Sequence, residues 1–290
     1  MKKLWHGTLA FAALVAGPAM AADMRVKAPL YKAPPPVVAY SWTGCYVGGN
    51  AGWIGGRDSY DLTMAGGFLN PINIFSNPAN RAGLEHSYQS NTSSGTAGLQ
   101  VGCNYQLSPF VVGVEADTNW SGLSETFTAA YPLSVPGTAN PHTETTGKDL
   151  KWFSTFRARA GFAWDRVLIY GTGGLAVARI DSSTSVQFSP NGFGFLGGFP
   201  FNGQVSLDRW GWTAGGGIEF AATESWTFKA EYLYLDFGSF DYLSPCTNTT
   251  LCQPAPGQAQ FAYNTHVRAH ENVVRFGVNY KFGGPLVARY

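Results

Sequence analysis

Charge is scarce in this chain. Asp, Glu, Lys and Arg make up 13% of its 290 residues, against about 25% in ordinary globular domains. The net charge of +1 removes any electrostatic case for nucleic-acid binding. Long apolar runs are missing as well: beyond the first segment, no stretch offers the roughly 18 unbroken apolar residues of a transmembrane helix. Metal-ligand spacing is missing too. His86, His142 and His266 fall in polar stretches and His270 at a strand end. None has a second ligand at zinc-type spacing, so they read as scattered surface histidines, and neither a metal nor a cofactor is expected. Gly171-Thr172-Gly173-Gly174 precedes no helix whose N-terminus could take a phosphate, which excludes a dinucleotide loop and leaves curvature or close packing. A lipid hydrolase would need a Ser or Asp activated by His. His270 with Glu271 is a conceivable start, but nothing separates it from ordinary rim polarity. No catalytic set is expected.

What is present begins with a leader. Lys2 and Lys3 precede a short apolar run, Leu9 to Ala16, and Ala19-Met20-Ala21 fits an A-x-A cleavage site. The pattern predicts a signal peptide over 1–21 and a mature chain outside the cytoplasm. Residues 22–41, with Ala33-Pro34-Pro35-Pro36, cannot join a sheet ladder and read as an extended periplasmic tail. The barrel is expected over 42–282, with a periplasmic extension over 283–290.

Aromatics reach 15%, and their placement carries the main reading. Phe110, Val112, Val114, Ala116, Thr118 and Trp120 alternate with Val111, Gly113, Glu115, Asp117 and Asn119. One face is apolar with an aromatic at each end; the other is small or acidic. The same design recurs from Trp152 to Trp164 opposite Lys151, Thr155, Arg157 and Arg159. It recurs from Trp210 to Phe220 opposite Arg209, Thr213 and Glu219. It recurs again from Trp226 to Tyr234 opposite Lys229 and Glu231, and from His270 to Phe282 opposite Glu271, Arg275, Asn279 and Lys281. Thr43 to Ile54, Thr96 to Leu107 and Val167 to Ile180 complete eight strands with weaker alternation. A membrane strand needs about 9–11 residues, and aromatics that end the apolar faces form the two girdles of an outer-membrane barrel. The expected interfacial set is Trp53, Phe110, Trp120, Trp152, Trp164, Trp210, Trp226, Tyr234 and Phe282. A soluble lipocalin-like barrel would turn its apolar face inward and need no girdles.

Connections alternate in length. Leu107-Ser108-Pro109, Asp165-Arg166 and Thr223-Glu224-Ser225 read as tight periplasmic turns, and Gly55 to Asn91, Ser121 to Gly147, Asp181 to Ser206 and Gly238 to Ala269 as long extracellular loops. The fold class is therefore all-β: an eight-stranded antiparallel up-and-down transmembrane barrel.

Eight strands leave an interior that side chains just fill. Glu115, Asp117, Glu219, Glu231 and Glu271 are expected to meet Lys151, Arg157, Arg159, Arg209, Lys229, Arg275 and Lys281 there. Mixed buried charge must pair; the strand count favours a salt-bridged plug, with a charged constriction in a narrow pore as the alternative. The four cysteines lie in an oxidising compartment, where disulfides are the default. Cys246 and Cys252 would close a small loop. Cys45 and Cys103 are either a second pair or two free apolar thiols.

At Trp42-Thr43-Gly44-Cys45-Tyr46-Val47-Gly48-Gly49-Asn50 and Val274-Arg275-Phe276-Gly277-Val278-Asn279-Tyr280-Lys281-Phe282-Gly283-Gly284-Pro285 the chain resembles the small opacity-protein-like outer-membrane barrels of alphaproteobacteria, often described as outer-membrane immunogenic or surface-antigen proteins. The resemblance implies insertion by the outer-membrane assembly machinery through a last strand ending in an aromatic, here Phe282, although residues 283–290 continue past it. Some relatives act as porin-like, haem-binding or host-contact proteins; no residue motif here carries those roles over. The expected function is a non-enzymatic surface protein whose loops meet lipopolysaccharide, ions or a host ligand. A narrow diffusion pore, or an adhesin or haem-binding protein, are the alternatives.

Overall fold

The computed structural model describes residues 40–66, 83–132, 141–189, 200–248, 252, 257 and 259–282. The stretch expected to be a signal peptide, the rest of the Pro-rich tail before Tyr40 and the extension after Phe282 lie outside them. Eight strands follow in chain order: β1 (Gly44–Ala65), β2 (His86–Leu107), β3 (Phe110–Tyr131), β4 (His142–Trp164), β5 (Val167–Phe188), β6 (Pro200–Ala221), β7 (Trp226–Pro245) and β8 (Ala262–Phe282). Each pairs antiparallel with its neighbours, and β8 pairs back onto β1 to close the barrel.

The tight turns sit where the sequence places them. Ser108 and Asp165 adopt left-handed backbone, φ 58° and 49°, which short polar side chains tolerate better than others. Adjacent turns are tied together: Ala163 N–H donates to the Pro109 carbonyl at 2.7 Å, and Lys281 N–H to that of Ser225 at 2.7 Å. Outward faces carry the aromatics as the alternation requires. Trp120 and Trp152 face each other across β3 and β4, with Trp53 and Trp210 also exposed, while Phe110, Phe162, Trp164 and Phe282 ring the periplasmic edge. Trp164 is 82% exposed in water terms, hence fully available to lipid.

The stretches read as long loops are largely strand. β1 continues from Trp53 to Ala65, β4 begins at His142 and β8 at Ala262. Every strand is 20–23 residues long, about twice what a membrane needs. Beyond the outer girdle the facing inverts. Ile54, Tyr60, Leu62 and Met64 of β1 point inward and are buried, while Arg57 and Thr63 lie outside. The lipid half is apolar-out; the extracellular half is apolar-in.

The wall also changes. The β2–β3 ladder runs from Leu107↔Phe110 to Thr96↔Ser121, and no described residue farther out continues it. The β6–β7 ladder ends likewise at Trp212↔Asp236, apart from a bridge between Phe201 and Cys246. The outer half is thus two facing sheets, β7-β8-β1-β2 and β3-β4-β5-β6, closed over one apolar core that includes Phe153, Ile180, Phe201, Leu235, Phe237, Tyr263 and Val267. Register shifts at Trp120/Leu123, Leu150/Trp152 and Asp236/Ser239 mark the level where the barrel becomes a sandwich.

Candidate functional site

The lumen is filled in three layers. At the periplasmic mouth, Tyr40 and Trp42 turn into the barrel against Val111, Ala163, Leu168, Tyr170 and Ala221. Trp42 N–H donates to Gln106 Oε1 at 2.8 Å and its indole N–H to the Asp165 carbonyl at 3.1 Å. The chain just before β1 is therefore a plug and not part of a free tail.

Above it lies the ion network. Glu115 stands opposite Arg157 across β3 and β4. The Arg157 guanidinium also reaches Asp117 at 2.8 Å and Glu231 at 3.0 Å. Arg275 pairs with Glu231 at 2.6 Å and Asp117 at 3.0 Å, Lys229 with Glu115 at 2.7 Å, and Arg159 with Glu219 at 2.7 Å. Four cations thus meet four carboxylates, and all eight groups are buried. Neighbouring hydroxyls take up part of their remaining hydrogen-bond capacity, while Arg159 Nε is buried without a partner among the described residues. Tyr46 Oη–H donates to Glu115 at 2.6 Å, Tyr170 Oη–H to Glu231 at 2.9 Å, and Thr227 to Glu219 at 2.6 Å. The Arg159 guanidinium also stacks 3.9 Å from the Tyr170 ring centroid. Each tyrosine lies over the glycine paired with it on the neighbouring strand, Gly102 for Tyr46 and Gly217 for Tyr170, and so reaches the strand beyond; a Cβ at Gly102 would sit 2.5 Å from the Tyr46 oxygen, and one at Gly217 2.7 Å from that of Tyr170.

Four expected members stand elsewhere. Lys281 lies at the periplasmic mouth, donating to the Ser41 carbonyl over the Tyr40 ring. The bulge at Leu150/Trp152 turns Lys151 out of the lumen, where it pairs with Asp149 at 2.8 Å on the surface. Arg209 lies at the β6–β7 seam, where missing ladder bonds leave carbonyls for it to take: it donates to Ser239 at 2.7 Å and covers the Phe240 ring. Glu271 is buried one layer farther out, paired with Lys148 at 2.7 Å; Lys148 also binds Asp58. Lys148 borders one of the stretches read as loops and Asp58 lies within another. Continued alternation, Asp58 with Tyr60 and Leu62, was the signal for the latter.

Two of the four described histidines come together, while His266 pairs with Asp241 at 2.9 Å on the outer face and His270 stands apart. His86 at the start of β2 and His142 on β4 converge on one carboxylate, Glu144: His86 Nδ1 lies 2.9 Å and His142 Nε2 3.2 Å from Glu144 Oε1. Burial pushes the Glu144 carboxyl up, but the hydrogen bonds from His142 and His86 outweigh it and hold the group below its ordinary value. His270 and Glu271 point to opposite faces, His270 toward Tyr234 and Glu271 toward Lys148, as neighbours in a strand must. They form no couple.

Both cysteine pairs are joined, Cys45 to Cys103 across the β1–β2 register and Cys246 to Cys252. The first spans 58 residues of chain; restricting a loop of that size in the unfolded chain stabilises by about 2–4 kcal/mol. Reduction, or Cys45→Ser with Cys103→Ser, is expected to lower the urea midpoint of the refolded protein, with the unfolding free energy falling by an amount in that range. Equal midpoints with and without reductant would remove the stabilising role.

With the geometry in place, comparison with known proteins decides the family. Residues 9–282 match the family described as Outer membrane protein beta-barrel domain. The chain belongs to that family. This outer-membrane β-barrel is 33% identical over 279 residues, 93% of its own length and 96% of the relative's, to the 31 kDa outer-membrane immunogenic protein of Brucella melitensis biotype 1. It is 28% identical over 141 residues, 49% of its length and 52% of the relative's, to the 22 kDa outer membrane protein of Rhizobium leguminosarum bv. viciae. Among solved structures it aligns with the outer membrane protein OprG from Pseudomonas aeruginosa at 12% identity and a TM-score of 0.44, covering 84% of this chain and 99% of that one. The protein is an integral protein of the outer membrane.

Proposed function

We propose that this outer-membrane β-barrel is a sealed, non-enzymatic anchor that carries a rigid two-sheet domain on the cell surface. The observation that carries this reading is the lumen: a charge-balanced network lies between an apolar plug at the periplasmic mouth and an apolar core at the outer end. Buried charges that each have at least one opposite charge in contact have little reason to admit a hydrated ion, which would have to displace bonds already made. The separation of His270 from Glu271 supports the absence of a hydrolytic couple. The description of the Brucella relative as an outer-membrane immunogenic protein supports a surface role, with lipopolysaccharide or a host ligand as partner.

Single-channel recording of the refolded chain in a planar bilayer tests it. A silent bilayer with folding confirmed by heat-modifiable mobility is expected. Reproducible conductance steps that change when Arg157 and Arg159 are neutralised would turn the reading into a narrow pore with those residues at its constriction.

A further inference from the structure

Outside the lumen network, one cluster brings metal-ligating side chains together in the extracellular half. His86 opens β2, and His142 and Glu144 stand two residues apart on the same inward face of β4. Two imidazole nitrogens lie 2.9 and 3.2 Å from one carboxylate oxygen, and the three donor atoms all fall within 4.8 Å of each other. Zinc ligands held about 2.0–2.2 Å from the ion sit roughly 3.3–3.6 Å apart in a tetrahedron, so small rotations bring this set to bonding distance. The second carboxylate oxygen, Glu144 Oε2, is buried and has no hydrogen-bond partner among the described residues. An oxygen in that position has lone pairs to give. The rings are held face to face by neighbours: Tyr131 stacks 3.7 Å from His86 and 5.0 Å from His142, and Phe188 stacks 4.9 Å from His142. Rings fixed by such neighbours lose little entropy on ligation.

We infer that His86 Nδ1, His142 Nε2 and the Glu144 carboxylate form a binding site for a divalent transition ion of the zinc type, clamping the two extracellular sheets across the β2–β3 seam. The donors come from both sheets: β2 belongs to one and β4 to the other, and no described backbone ladder joins β2 to β3 at this height. Two imidazoles and one carboxylate suit zinc, nickel or cobalt better than calcium or magnesium, which demand more oxygen ligands. On binding, each ring nitrogen that now faces the carboxylate gives its lone pair to the ion, and the ring proton resides on the other nitrogen. A fourth position stays open for water or a donor from a surface ligand. The site stands whether or not the lumen conducts.

The test titrates the full refolded chain with zinc by calorimetry, and with cobalt by its visible ligand-field bands. One ion per chain is expected, with cobalt absorbance of tetrahedral intensity. Zinc is also expected to slow proteolysis of the extracellular half at least fivefold. His86→Ala should weaken binding at least tenfold; His86 is the half-buried member at a strand end, so this variant is expected to keep the heat-modifiable mobility of the wild type. Glu144→Gln, which keeps shape and burial, should do the same. Absence of binding to the folded wild type at micromolar zinc overturns the proposal, as does binding that neither substitution changes.

Discussion

Replacing Arg157 with methionine is expected to destabilise the folded barrel by about 3–5 kcal/mol, the range seen when one partner of a buried ion pair is removed. The guanidinium serves Glu115, Asp117 and Glu231 together, and all three carboxylates are buried. Arg275 and Lys229 still face the same carboxylates, so the loss is not larger. Arg157→Lys keeps the charge but gives up the fork that reaches two strands at once, and it should fall between the wild type and Arg157→Met. The check is a urea titration in lipid vesicles, following the loss of the heat-modifiable band. A shift of less than 1 kcal/mol would mean that solvent enters the lumen and compensates for the missing cation, which would also reopen the case for a pore.

Phe201→Ala should cost a comparable amount, about 3–5 kcal/mol, but in a different place. The Phe201 ring meets Phe261 at 5.3 Å, Tyr263 at 5.0 Å and Phe188 at 6.1 Å, and its backbone bridges to Cys246 where the β6–β7 seam rejoins. Removing it opens the top of the sandwich and leaves the membrane network untouched. Whole-cell proteolysis is therefore expected to cleave the extracellular half of the variant at least tenfold faster, while the membrane-embedded fragment keeps its heat-modifiable mobility. If both halves are lost together, the sandwich and the barrel fold as one cooperative unit, and the division drawn at the outer girdle has no energetic meaning.

The membrane half was legible in the sequence because lipid imposes a simple code. Trp120, Trp152 and Trp210 at one edge and Phe110, Trp164 and Phe282 at the other bracket alternating runs, and Glu115, Asp117, Arg157, Arg159, Glu219, Lys229, Glu231 and Arg275 share the opposite face. The outer half was not legible by the same test. There the strands are polar on the side that lipid would touch, so Arg57, Ser183 and Ser185 read as loop. The alternation persisted in Tyr60, Leu62 and Met64, with its sense reversed. Lys151 and Arg209 were misplaced for a local reason. A bulge shifts phase by one residue, and a seam replaces ladder bonds with side-chain donors; neither leaves a mark in a period-2 pattern. The meeting of His86 with His142 and Glu144 depends on β2 and β4 approaching across β3, a long-range juxtaposition that spacing along the chain does not encode.

The reversal of facing has a consequence for position. A strand with one apolar face throughout could slide along the bilayer normal by pairs of residues and keep its side chains on the correct sides. These strands cannot. Moving β1 outward would carry Trp53 into water and draw Tyr46 no nearer to any use, while moving it inward would drag Arg57 into hydrocarbon and lift Ile54 and Tyr60 out of their core. Either displacement is opposed from both ends by the cost of exposing apolar surface or immersing charge. β1 thereby carries its own depth gauge, as do β5 with Ile180 and Val186, β7 with Phe240 and Tyr242, and β8 with Tyr263 and Val267 turned into the same core, and hydrogen bonding in a ring holds the other strands at the same height.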